Sequence, residues 1–188
     1  MSRLEHIRSA AAERWKGRTG GSLPVIYIGA ASCGRAAGAL ETLQAAREFL
    51  EVKGIEADIV EVGCIGPCYL EPLMDVALPG QPRISYARVT PEKARKILTA
   101  CLVEGDLLPK LAAGHFGDES FSQQTGIGRF FDLPMLKPQV RIILKNCGMI
   151  DPEDFDAALA AGAYRGFERA LALGAEGTIA EIKASGLR

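Results

Sequence analysis

The sequence predicts an α/β fold: a small sheet covered by helices, then a linker and a short, mostly helical segment. Three observations predict it. Pro24 to Ile28 and Ile55 to Val62 read as strands on either side of an amphipathic helix. Pro79-Gly80-Gln81-Pro82 separates two further short apolar runs, as a hairpin turn would. Thr90-Pro91-Glu92 then opens a helix with a capping hydroxyl, a proline at the first helical position and a carboxylate near the positive end of the dipole.

Taken in order, Leu4, Ile7, Ala11 and Trp15 recur at three- and four-residue spacing, which predicts a leading helix over 3–16, ended by Gly17 and Gly20-Gly21. Pro24 to Ile28 is a compact, β-branched run stopped by Gly29, hence a buried strand, and a loop of small residues holding Cys33 follows it. From Ala36 to Val52 the period becomes helical, with Leu40, Leu43, Ala46, Phe49 and Leu50 on one face until Gly54 breaks it. Ile55 to Val62 alternates apolar with acidic residues. A strand, a helix and a strand in succession favour a right-handed crossover between parallel strands. Leu73 to Leu78 and Arg83 to Ala87 form the expected antiparallel pair, and the helix opened at Thr90 runs to about Val103. Residues 24–104 thus read β-α-β-β-β-α, which is the thioredoxin-like arrangement.

Residues 105–137 lose periodicity and collect Gly114, Gly117, Gly126, Gly128 and Pro134, so they read as a linker lying over a partner surface. Beyond them, Gln139 to Leu144 is expected as a strand and Asp151-Pro152-Glu153 as the cap of a helix. Ala163 to Leu173 is expected as a further helix, and Thr178 with Glu181 as the capping box of a last one. Four segments result: a leading helix in 1–23, the thioredoxin-like domain in 24–104, the linker in 105–137 and a final segment in 138–188.

Composition narrows the function classes. The 188 residues are 48% hydrophobic, 24% charged and 6% aromatic, the profile of a globular protein. A formal net charge of −1 supplies no excess of positive charge for a nucleic acid backbone or an anionic membrane surface. No apolar run approaches the roughly 20 residues of a membrane helix, and the first residues lack the apolar core of a secretory signal. The expectation is a cytoplasmic protein without membrane insertion. An odd number of cysteines, 5 in all, fits a reducing compartment better than a disulfide framework.

The chemistry lies in the cysteines. Cys64-Ile65-Gly66-Pro67-Cys68 follows a strand, and Cys33 sits in the loop after another. Ligands of an iron–sulfur cluster are deprotonated thiols on loops, because loops can converge several sulfurs and bring backbone N–H groups to the sulfides. Cys33, Cys64 and Cys68 meet this description and are the candidate metal ligands, although a cluster held by cysteine alone takes four. Cys33 by itself fits equally well a small thiol filling space at a loop–helix junction. Cys101, among Ile97, Leu98 and Leu102, and Cys147 read as packing residues. Structural zinc favours C-x(2)-C pairs, and both histidines, His6 and His115, lie outside the cysteine-bearing segment, which also argues against Rieske-type ligation. An exchange disulfide would want C-x-x-C at a helix start, one residue shorter than the spacing here. No residue reads as catalytic.

Cys33-Gly34-Arg35-Ala36-Ala37-Gly38-Ala39, then Val62 to Cys68 with Glu71-Pro72, then Tyr86 and Val89-Thr90-Pro91-Glu92, resemble the thioredoxin-like [2Fe–2S] ferredoxin domain. That domain occurs in the 24-kilodalton-type subunit of complex I. It is also fused to the front of NADH-binding flavoprotein subunits of bifurcating hydrogenases and NAD-dependent formate dehydrogenases. Arg141 to Pro152, Tyr164 and Ile182 to Arg188 look like the opening of the flavoprotein, or 51-kilodalton-type, subunit.

The resemblance implies an oxidoreductase subunit in a multi-subunit complex, relaying electrons through a [2Fe–2S] cluster on Cys33, Cys64 and Cys68. It places FMN, NAD(H) and a [4Fe–4S] cluster in a C-terminal continuation, so that this portion alone is expected to be inactive. The family's first ligand would fall at position 28, where this chain has Ile28, which cannot bind iron. Ser32 or a solvent ligand could complete the set. The alternative expectation is a clusterless thioredoxin-like docking module for subunit assembly.

Overall fold

A computed structural model describes residues 3–187 and divides the chain into two compact units, Lys16–Glu153 and the described parts of Met1–Trp15 with Asp154–Arg188. The larger unit is built on a five-stranded mixed sheet in the order β2-β1-β3-β4-β5. Its strands are β1 (Val25–Gly29), β2 (Asp58–Val62), β3 (Met74–Ala77), β4 (Ile84–Tyr86) and β5 (Ala112–His115). β1 and β2 run parallel, with Gly29 opposite Val62, whereas β1–β3, β3–β4 and β4–β5 are antiparallel. The class and the β-α-β-β-β-α path are those expected from the sequence.

Period-two alternation sorts the sheet's side chains. Ile26 and Ile28 of β1, Met74 and Val76 of β3, and Ile84 and Tyr86 of β4 join one core cluster. Helices α3 (Ala39–Lys53) and α4 (Pro91–Leu98) complete it with Leu43, Ala46, Phe49, Leu50, Ala94, Ile97 and Leu98. The helices start and stop where their chemistry says. Thr90 caps α4 by accepting the Lys93 amide at 3.3 Å, and Gly54 ends α3 in the left-handed conformation at φ 62°. Past α4 the coil widens into a π-helical turn over Thr99–Glu104, which buries Cys101.

Several segments differ from their sequence pattern. Cys33 lies not in a loop but in a five-residue helix, α2 (Ser32–Ala36), separated from α3 by Gly38 at φ 102°. Residues 105–137 carry β5, helix α5 (Glu119–Thr125) and a single turn of 3₁₀-helix at Phe130–Asp132. Alanine and glycine fill much of β5, so no apolar alternation announces it, and its pairing with β4 supplies the order. Around it a second cluster forms from Ile65, Leu73, Phe130 and Leu136, flanked by Phe116 and Phe131. Phe116 stacks on Phe130 with ring centroids 5.0 Å apart.

Gln139 to Leu144 makes no strand. Arg141 folds the segment back by donating to the carbonyls of Leu144 and Cys147 at 2.7 and 2.9 Å, which leaves Val140 and Ile143 86% and 92% exposed.

The smaller unit is helical. Helix α1 (Arg3–Thr19) outruns its expected end at Lys16. Asp154, rather than Asp151, caps α6 (Phe155–Ala160) by accepting the Ala157 amide at 2.8 Å, while Asp151 closes a turn onto the Glu153 amide. Helix α7 (Arg165–Ala184) is kinked at Gly174 (φ 67°, ψ −178°). Thr178 bonds back to the Gly174 carbonyl at 2.7 Å and so forms no capping box. Arg8 pairs with Glu168, and Arg14 with Asp156, both at 2.6 Å. No helix among the described residues is long and apolar enough to cross a membrane.

Candidate metal centre

The carboxyl ends of two parallel strands lie side by side, and the chain leaving each of them delivers thiols. Beyond Gly29 the chain turns into α2 with Cys33; beyond Val62 it enters the Cys64–Cys68 loop. α2 seats closely on the strand it has just left, because Gly34 has no side chain: a Cβ there would lie 1.9 Å from the Gly29 carbonyl oxygen. Gly66, at φ 132°, bends the second loop so that the Cys64 and Cys68 sulfurs come within 3.4 Å of each other.

As a result the Sγ atoms of Cys33, Cys64 and Cys68 all lie within 4.8 Å of one another, and all are free thiols. The sequence-predicted trio therefore converges. Cys101 is buried 3.3 Å from the Tyr86 hydroxyl, and Cys147 is not part of the thiol group. His115 belongs to β5 of the same sheet, contrary to the expectation that it lies outside, yet its ring is engaged by Ser122 and the Gly117 amide at 2.7 and 2.9 Å. His6 is exposed on α1. Ile28 is fully buried in the main core against the helices.

Burial favours the protonated form of Cys33 and Cys64. Burial is the first cause raising the Cys33 thiol above its ordinary value. The Cys64 thiol is pushed up to about 12, by burial first and then by hydrogen bonds with Cys33 and Cys68. Three thiolates this close would repel one another in a half-buried site, so a cation must displace the protons as it binds. The donor set fits a thiolate-binding metal group: soft ligands on turns, with close-packed glycines giving backbone access.

The sequence reading did not assign Glu71 a role at the site. This residue is 7% exposed, its Oε2 accepts the Leu73 amide at 2.7 Å, and its Oε1 lies 3.9 Å from Cys33 Sγ. Burial is the leading cause raising its carboxyl above the usual range. A Cβ on Gly29 would stand 2.9 Å from Oε2, so the glycine that ends β1 makes room for this carboxylate. Its signal in the sequence was a glutamate in the Glu71-Pro72 pair closely following Cys68.

Support from residues 130–148 was likewise missed. Ile65, between the paired cysteines, packs with Phe130 and Leu136, and a Cβ on Gly148 would come within 2.4 Å of Ile65 Cβ. Arg83, paired with buried Asp75, holds that contact by donating to the Gly148 carbonyl at 2.8 Å.

Against known proteins, no family model matches the chain. A curated relative, NADP-reducing hydrogenase subunit HndB of Solidesulfovibrio fructosivorans, is 25% identical over 104 residues, which span 55% of this chain and 81% of that protein. Among solved structures, a thioredoxin-like [2Fe–2S] ferredoxin from Aquifex aeolicus aligns with TM-score 0.44 and 18% identity, covering 52% of this chain and 96% of the ferredoxin. Another structure of the wild-type ferredoxin from that organism gives TM-score 0.41 and 19% identity, over 49% and 97% of the two chains.

Proposed function

We propose that the chain is an electron-relaying component of a multi-subunit redox complex, with a [2Fe–2S] cluster held by Cys33, Cys64 and Cys68. The finer reading is the N-terminal portion of an NADH-oxidising flavoprotein subunit, with 24–104 as the ferredoxin-type domain and 138–188 as the start of the flavoprotein domain. The observation that carries the proposal is the convergence of the Cys33, Cys64 and Cys68 thiols within 4.8 Å. The similarity to an NADP-reducing hydrogenase subunit and the residue-level resemblance to ferredoxin domains of NADH-linked enzymes support it.

When bound, such a cluster supplies a one-electron redox couple. The chain's own residues hold and tune it. Cys68 is exposed, so the pair Cys64/Cys68 reaches the surface where a partner's redox group could approach. Ile65, Phe130 and Leu136 exclude water from the other side of the loop.

Anaerobic purification tests the reading: the protein should be brown with about two irons per chain, and Cys64→Ser/Cys68→Ser together should remove the colour. Colourless, iron-free protein after reconstitution with iron and sulfide would leave the clusterless docking module, and zinc on elemental analysis would make the site structural.

A further inference from the structure

We infer that the carboxylate of Glu71 is the fourth protein ligand of the iron–sulfur centre, an inference that rests on the cluster reading above. The position where a fourth cysteine would be expected cannot serve. Ile28 is not only aliphatic but lies in the main core with α3 and α4, so its side chain belongs to the hydrophobic interior. Glu71 is placed instead: its Oε1 is 3.9 Å from Cys33 Sγ, while its other oxygen is anchored by the Leu73 amide.

Distances give the pairing. A tetrahedral metal with metal–thiolate bonds of about 2.3 Å holds two adjacent donors roughly 3.7 Å apart. Cys64 and Cys68 are 3.4 Å apart and Cys33 and Glu71 are 3.9 Å apart, each close to that spacing, so each pair can share one iron of a binuclear centre.

Room and charge agree with the pairing. Gly29 and Gly34 both border the carboxylate, and a Cβ at either would approach its Oε2, to 2.9 and 3.3 Å. Asp75, the other buried acid nearby, pairs through Oδ2 with Arg83 and is not part of the converging thiol group. Three thiolates with one carboxylate carry the same negative charge as four thiolates, and carboxylate is an established ligand type for non-haem iron. As the iron–ligand bonds form, the three thiols release their protons to solvent while Glu71 binds as its carboxylate; no electron is transferred in the ligation itself.

The test uses the full chain, reconstituted anaerobically with ⁵⁷Fe and sulfide. In wild-type protein, Mössbauer spectra should show two distinct iron sites, one with the larger isomer shift of an oxygen-ligated iron. The reduced protein's EPR lines should not broaden in ¹⁷O-enriched water, because a carboxylate oxygen does not exchange. In Glu71→Gln, whose amide can still accept the Leu73 N–H, iron retained after desalting should fall severalfold or the oxygen-type doublet should change, whereas Cys101→Ala should match wild type. Wild-type lines broadened by ¹⁷O would assign the position to solvent, and a Glu71→Gln protein with wild-type iron and spectra would remove Glu71 from the ligand set; either overturns the inference while leaving the cluster intact. Wild-type protein that takes up no iron would overturn the cluster reading and this inference together.

Discussion

Half-buried Cys64 and buried Cys101 both have thiols that burial raises above their ordinary value, and only their neighbours separate a ligand from a packing group. Cys64 faces two other sulfurs, and Cys101 faces the Tyr86 hydroxyl. Single serine substitutions of Cys33, Cys64 or Cys68 should therefore lower bound iron, measured by elemental analysis, with Cys101→Ala as the silent control. Because the thiols must lose protons to bind, iron uptake at fixed iron and sulfide should rise with pH.

Tyr86 supplies a second pH test. Burial, and then its hydrogen bond with Cys101, raise the phenol above its ordinary value of 10.0. A group raised in the folded state contributes stability that is full below the unfolded pKa, here 10, and is lost as pH climbs above it. Tyr86→Phe should flatten the fall in melting temperature above pH 10. At neutral pH the same change should cost about 1–2 kcal/mol, since the Leu107 carbonyl loses a donor now 2.7 Å away.

Elements were legible in proportion to their side-chain pattern. α3, α4, β1 and β3 have apolar faces with a clear period and chemical stops, and each formed close to its expected place. Thr90→Ala should destabilise α4 by about 1 kcal/mol through loss of its cap, read from chemical denaturation. β5 was illegible because Ala112, Ala113 and Gly114 carry no periodic signal, and its presence depends on β4 offering an edge. Its smallness is required: a Cβ on Gly114 would sit 2.6 Å from Phe130 Cα. Gly114→Ala should lower the melting temperature and, by shifting Phe130 beneath Ile65, weaken iron retention. The reverse error occurred at 139–144, where β-branched residues suggest a strand but find no ladder partner, and a strand without one leaves its backbone groups unpaired.

At the scale of the whole molecule, the five-stranded sheet and its second apolar cluster depend on residues beyond α4. A chain ended after Glu104 would lose β5, Phe130 and Leu136, exposing the outer edge of β4 and the back of the cysteine loop. It should aggregate or melt without cooperativity, while a chain ended after Glu153 should retain a cooperative transition by circular dichroism. A monomeric, cooperatively folding product from the shorter chain would show that the sheet stands on four strands.

By itself the sequence determined the α/β class, the β-α-β-β-β-α path and the three thiols, because periodicity, turn residues and cysteine spacing act over short stretches of chain. Only the tertiary structure decided that those thiols meet, that Ile28 faces the core, that Glu71 stands beside Cys33 and that residues 112–136 back the site. Each of these is a contact between segments far apart in sequence, fixed by strand register and by glycines that permit close approach, and no local pattern encodes such a distance.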